Sequence, residues 1–99
     1  MPVTIIAEFH AAPGKLDELL ATLKAVLPET RAYDGCRGLD SWLDQDRSTI
    51  VLTEQWDTFD HYDRYLAWRA ETGVLAAAAG LLEGGAAGFI PRKCVPAGC

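Results

Sequence analysis

Thr49-Ile50-Val51-Leu52-Thr53-Glu54-Gln55-Trp56 is the stretch that decides the fold. β-Branched side chains dominate it, and they suit a pleated, half-buried surface better than a helix. Successive side chains of a strand point to opposite faces. Ile50, Leu52, Glu54 and Trp56 therefore share one face, and Thr49, Val51, Thr53 and Gln55 share the other. Gln45-Asp46-Arg47-Ser48 precedes this strand as a polar loop, and residues 36–44 before it read as another strand. A loop that short makes the two strands an antiparallel hairpin.

Downstream, Asp57-Thr58-Phe59-Asp60 opens a helix with Asp57 or Thr58 as its N-cap. Phe59, Tyr62, Leu66 and Arg69 fall on one stripe, with His61, Tyr65 and Trp68 beside it. Gly73 interrupts, and Val74, Leu75, Ala78, Leu81 and Leu82 carry a further helical stretch up to Gly84-Gly85. Residues 87–95 read as a last strand, and Pro91 within it predicts a sheet edge or a bulge.

Upstream, Val3-Thr4-Ile5-Ile6-Ala7-Glu8-Phe9-His10 reads as the first strand. After the Ala12-Pro13-Gly14 turn, Leu16, Leu19, Leu20, Leu23 and Leu27 mark the buried stripe of a helix. Asp17 and Glu18 favour the positive end of its dipole. Pro28 is expected to kink or end it, and Asp34-Gly35 closes the segment.

The order is βαββαβ. It predicts an α+β, ferredoxin-like fold: a four-stranded antiparallel sheet with helices on one face. Residues 1–99 make one domain. A chain this long buries roughly 60–65% of its unfolded surface, enough for a modest core. Whichever side-chain set faces away from the helices still contains apolar β-branched residues. A bare sheet face of that kind marks an interface, so a homodimer joined through the sheet is expected.

The bulk properties exclude several classes. The net charge is −5, which leaves no basic face for nucleic acid. It also opposes binding to an anionic membrane surface. The longest apolar run, residues 73–82, is too short to span a bilayer. The apolar stretch at the amino-terminal end is interrupted early by Glu8 and lacks the basic start of a leader, so no signal peptide is expected. Three cysteines in no disulfide spacing fit a reducing, cytoplasmic compartment. No Cys/His set has zinc spacing, and Gly84-Gly85 launches no phosphate-cradling helix, so neither metal nor cofactor is expected.

Three short segments carry a resemblance. They are Pro13-Gly14-Lys15 before the first helix, Gly35-Cys36 with Gly38 entering the second strand, and Glu54-Gln55-Trp56-Asp57 leaving the third. In this order and on these elements, the chain resembles the antibiotic biosynthesis monooxygenase family of dimeric α+β barrels. The resemblance covers nearly the whole chain. It implies a homodimer and admits several chemistries: cofactor-independent oxidation of anthrones and quinols, haem degradation, or none known. The positions matching the asparagine, tryptophan and histidine of haem-degrading relatives are Ala7, Tyr65 and Leu75, which disfavours haem chemistry. Leu52 stands where aromatic-polyketide oxygenases often have an asparagine, whereas Trp56 matches and Tyr62 is similar to a pocket-lining aromatic. The resemblance thus implies an aromatic-binding pocket more than one mechanism.

Candidate roles follow from side-chain chemistry. Trp56, at the strand–helix corner, offers a flat face to an aromatic ligand; the plain alternative is core packing. Tyr62, Tyr65, Trp68 and Arg69 form an aromatic and cationic cluster on the second helix. The tyrosine hydroxyls suit a phenol or carbonyl oxygen, and the Arg69 guanidinium suits developing negative charge. The ordinary alternative puts Arg69 in a surface ion pair. A cofactor-free oxygenase needs a base, and His10 or Glu54 is the candidate. For Glu54 the ordinary alternative is an ion pair with Arg31, Arg37 or Arg92. His61 reads as a solvated helix residue.

The resulting expectation is a cofactor-independent monooxygenase acting on an aromatic, quinol or polyketide-like molecule. Two other readings stay open: a non-catalytic dimer that binds a hydrophobic metabolite, and a non-oxidative isomerase or cyclase.

Overall fold

The computed structural model describes residues 2–99. Strands β1 (Val3–His10), β2 (Cys36–Leu43), β3 (Thr49–Trp56) and β4 (Phe89–Cys94) form one sheet in the order β2-β3-β1-β4. All three pairings are antiparallel. Helices α1 (Leu16–Ala32), α2 (Phe59–Glu71) and α3 (Val74–Ala79) supply the rest of the expected order. The ferredoxin-like α+β plan read from the sequence is the plan of the molecule.

Register fixes which side-chain set faces the helices. Phe9 lies opposite Ile50, Ala7 opposite Leu52, Ile5 opposite Glu54 and Val3 opposite Trp56. This face is buried under Leu19, Leu23 and Leu27 of α1 and Tyr62 and Tyr65 of α2. The set facing away contains Ile6, Glu8, Val51 and Thr53, and Trp42 (58% exposed) and Ile90 (42%) extend it at the two flanks. A bulge between Cys36 and Gly38 resets the β2 register where that strand begins.

Four local expectations need correction. Pro28 does not end α1, which continues to Ala32. Its ring removes one donor, but Pro28 and Lys24 are both exposed, so the carbonyl left over faces water. Leu20 was placed on the buried stripe and is 40% exposed, at its margin. The last helical stretch stops at Ala79 instead of reaching Leu82. A single 3₁₀ turn (Gly85–Gly88), entered through Gly84 at φ 73°, delays β4 to Phe89. Pro91 sits on the edge strand, where a missing ladder donor is tolerated.

Among the described residues no helix is long and apolar enough to cross a membrane.

Candidate functional site

A cavity of about 40 Å³ lies between the sheet and the helices. Leu52 and Glu54 of β3 form its floor, Thr30 of α1 one side, and Tyr62, Tyr65 and Arg69 of α2 its polar wall. Leu75 and Ala78 of α3 close it. Past Phe9, Phe89 and these two α3 residues lies a second cavity of about 100 Å³ whose lining is entirely apolar.

Glu54 is placed there by strand alternation: it shares the inward face with Leu52 and Trp56, so a carboxyl stands in an otherwise apolar row. It is 3% exposed. The arginines expected to neutralise it are engaged elsewhere. Arg31 donates to the Leu39 carbonyl, Arg37 pairs with Asp57 at 2.8 Å, and Arg92 pairs with Glu8 on the opposite face. Among the described residues the one side-chain partner of Glu54 is the indole N–H of Trp56, which donates to Oε1 at 2.9 Å. Burial without a counter-charge pushes its pKa up to about 7, with the indole bond opposing the rise. A carboxyl poised near neutrality can both take and return a proton.

The polar wall is a network. Arg69, only 2% exposed, donates from Nε to the Tyr65 hydroxyl at 2.9 Å, and from Nη2 to the Val26 carbonyl at 2.7 Å and Thr30 Oγ1 at 3.0 Å. Tyr65 and Thr30 share a further hydrogen bond of 2.6 Å. Arg69 is therefore not a surface residue; its Glu29 contact, at 3.4 Å, reaches the solvent side from within. Burial raises the Tyr65 phenol, and the bonds from Arg69 and Thr30 pull against that rise. Tyr62 is pushed well above the ordinary phenol range, by burial first and by the nearby Glu54 second. It keeps its proton and can act only as a neutral hydrogen-bond partner.

The remaining candidates lie apart from this wall. Trp56 is fully buried behind it, with ring centroids of Tyr33, Tyr62 and Tyr65 at 6.4, 5.6 and 5.1 Å. It offers the cavity no flat face, contrary to the expectation for it. Trp68 stacks on Tyr33 at 5.2 Å and under the Arg69 guanidinium at 4.6 Å, outside the cavity. His10 occupies the other face of the sheet, 3.0 Å from Glu8 Oε1 and 3.3 Å from Thr49 Oγ1, with the sheet between it and Glu54. His61 serves as a local support. Its ring nitrogen lies 2.7 Å from the Thr58 hydroxyl, and its ring covers Gly35, where any Cβ would collide with it. Thr30 was overlooked. The signal was present, because Thr30 lies three residues beyond Leu27 on the leucine stripe of α1.

The comparisons with known proteins agree with this architecture. Residues 2–80 match the family model described as antibiotic biosynthesis monooxygenase. A Mycobacterium tuberculosis protein named "Putative monooxygenase Rv0793" is 36% identical over 80 residues, covering 75% of this chain and 79% of that one. Its solved structure superposes with a TM-score of 0.72 at 30% identity, over 97% of this chain and 95% of the other. A conserved protein from Methanosarcina mazei shares the fold alone, with a TM-score of 0.80 at 14% identity over 94% and 90% of the two chains. On the match of its sequence and the likeness of its fold, the chain belongs to the antibiotic biosynthesis monooxygenase family.

Proposed function

We propose that this protein is a homodimeric, cofactor-independent monooxygenase that oxidises an electron-rich aromatic, such as a quinol or an anthrone-like polyketide, with Glu54 as the base. One observation carries the reading: a buried carboxyl that pairs with no cation among the described residues, pushed up to about 7, on the wall of a small internal cavity. With an anthrone-like substrate, Glu54 takes a proton from the activated ring CH₂, and the carbanion passes one electron to O₂. The radical and superoxide combine as a peroxide, which Glu54 reprotonates. Loss of the second CH₂ proton with hydroxide leaves a ketone and water. Every electron that reduces O₂ comes from the substrate. Tyr62 and the Arg69–Tyr65 pair face the oxygen on which charge develops, as donors in a dry site should.

The cavity is too small for a ring as it stands, since an apolar void of about 150 Å³ is what benzene occupies. Ligand entry then requires α3 to shift and join the two cavities, whose common wall includes Leu75 and Ala78. Four of the six residues of α3 are alanines, which anchor it shallowly. The exposed sheet face carries Ile6, Val51, Trp42 and Ile90, which supports dimerisation there. The three free thiols fit a cytoplasmic setting.

The test is oxygen uptake with a panel of quinols and anthrones, comparing the wild type with E54Q. Loss of a general base predicts a fall in kcat of about 10²–10⁴-fold. An E54Q variant as active as the wild type, or no uptake with any member, sinks the reading. Leu52 and the wholly apolar second cavity favour one other reading, a dimer that binds a hydrophobic metabolite without chemistry. Thermal-shift hits that never turn over would support it. Turnover that persists without oxygen would indicate a non-oxidative isomerase or cyclase.

A further inference from the structure

We propose that Trp56 is a positioning residue for Glu54: its indole N–H pins Oε1 and leaves Oε2 as the oxygen that faces the cavity and receives the proton. This rests on Glu54 being the base. Three observations carry it. Trp56 is 0% exposed and does not line the cavity, so its position serves something other than ligand contact. Tyr33, Tyr62 and Tyr65 pack around the indole and fix the direction of its one polar bond, 2.9 Å to Oε1. Every fully enclosed side-chain oxygen among the described residues has a hydrogen-bond partner, and the bond that the Glu54 carboxyl makes among them, from the Trp56 indole, takes Oε1 and leaves Oε2 without one. Oε2 therefore borders open space, and the space beside Glu54 is the cavity.

The i, i+2 spacing of Glu54 and Trp56 on one strand face makes the arrangement local. A carboxyl left free to rotate in an apolar site would present either oxygen, and burial alone would hold its proton into the alkaline range. The indole bond stabilises the charged form and keeps the group usable at neutral pH. The titratable and charged groups around Glu54 are few. Tyr62 and Tyr65 approach from α2, with Arg69 further along the cavity, and Cys36 lies across on β2. From β1 its neighbour is the apolar Ile5.

The experiment follows the indole N–H resonance of Trp56 by NMR across a pH titration of the full chain, with W42F and W68F used for assignment. The Trp56 resonance should move with a midpoint near the Glu54 value of about 7, and should be flat in E54Q. In W56F the Glu54 carboxyl carbon should titrate about one pH unit higher, the size expected for one lost hydrogen bond to a charged group. The acid limb of kcat/KM for oxygen uptake should move by the same amount. A tryptophan that merely fills the core would lower the melting temperature and leave both midpoints in place. An indole resonance that ignores Glu54, or an unmoved midpoint in W56F, overturns the positioning role. The indole titration uses unaltered Trp56, so it decides the matter even if W56F fails to fold. If the coupling is present but E54Q keeps full oxygen uptake, the base assignment fails instead, and the two failures are told apart.

Discussion

Glu54 occupies an unusual place for a carboxylate, and its burial has a consequence for stability as well as for chemistry. Its folded pKa of about 7 lies above its ordinary 4.5. Below the lower value both the folded and unfolded chains hold the proton and nothing is lost. As pH rises towards the upper value, the unfolded chain releases its proton while the folded one keeps it, so stability falls and then levels off. The wild type should therefore lose on the order of 2–3 kcal/mol relative to E54Q between acid and mildly alkaline pH. Urea unfolding of both proteins at about pH 4.5 and pH 8 measures it; parallel pH dependences would show that Glu54 titrates in the folded chain as it does in the unfolded one. The position of Glu54 on the inward face was legible, because Leu52, Glu54 and Trp56 alternate in register. Its lack of a cation was not, because which arginine reaches which carboxylate depends on three-dimensional neighbours: Arg92, for instance, is drawn to Glu8 on the opposite face.

At the scale of elements, α2 matters most, since one helix presents Tyr62, Tyr65 and Arg69 together. Its start is secured by Thr58, whose hydroxyl accepts the backbone N–H of His61 at 3.1 Å. T58A should destabilise the fold by about 1 kcal/mol, the usual value of an N-cap side chain. Chemical denaturation checks this, and a change below a few tenths would mean that His61 and Asp57 hold the helix start without it. The spacing of Tyr62, Tyr65 and Arg69 by three and four residues announced a common helical stripe, so the cluster could be read from sequence. Its partner could not. Thr30 and the Val26 carbonyl come from α1, more than thirty-five residues away, and only packing brings them to the Arg69 guanidinium. α1 itself ran past Pro28 because the donor that proline lacks concerns a solvent-facing carbonyl, a matter of helix orientation that local sequence leaves open.

For the whole molecule, the decisive surface is the sheet face turned from the helices. If two copies cover it, V51E should yield a monomer in size-exclusion chromatography with light scattering, while its circular dichroism stays native. Wild-type protein that runs as a monomer at micromolar concentration would remove the dimer from the proposal. Local patterning was enough to set the order of elements, the antiparallel hairpin and the two side-chain sets of each strand, because periods of 2 and 3.6 residues are local properties of the backbone. Long-range packing settled which set faces the helices, that His10 and Glu54 stand on opposite sides of the sheet, and that Trp56 lies behind the cavity wall. Those outcomes turn on strand register and on how helices seat over a sheet, which depend on contacts between residues far apart in the chain.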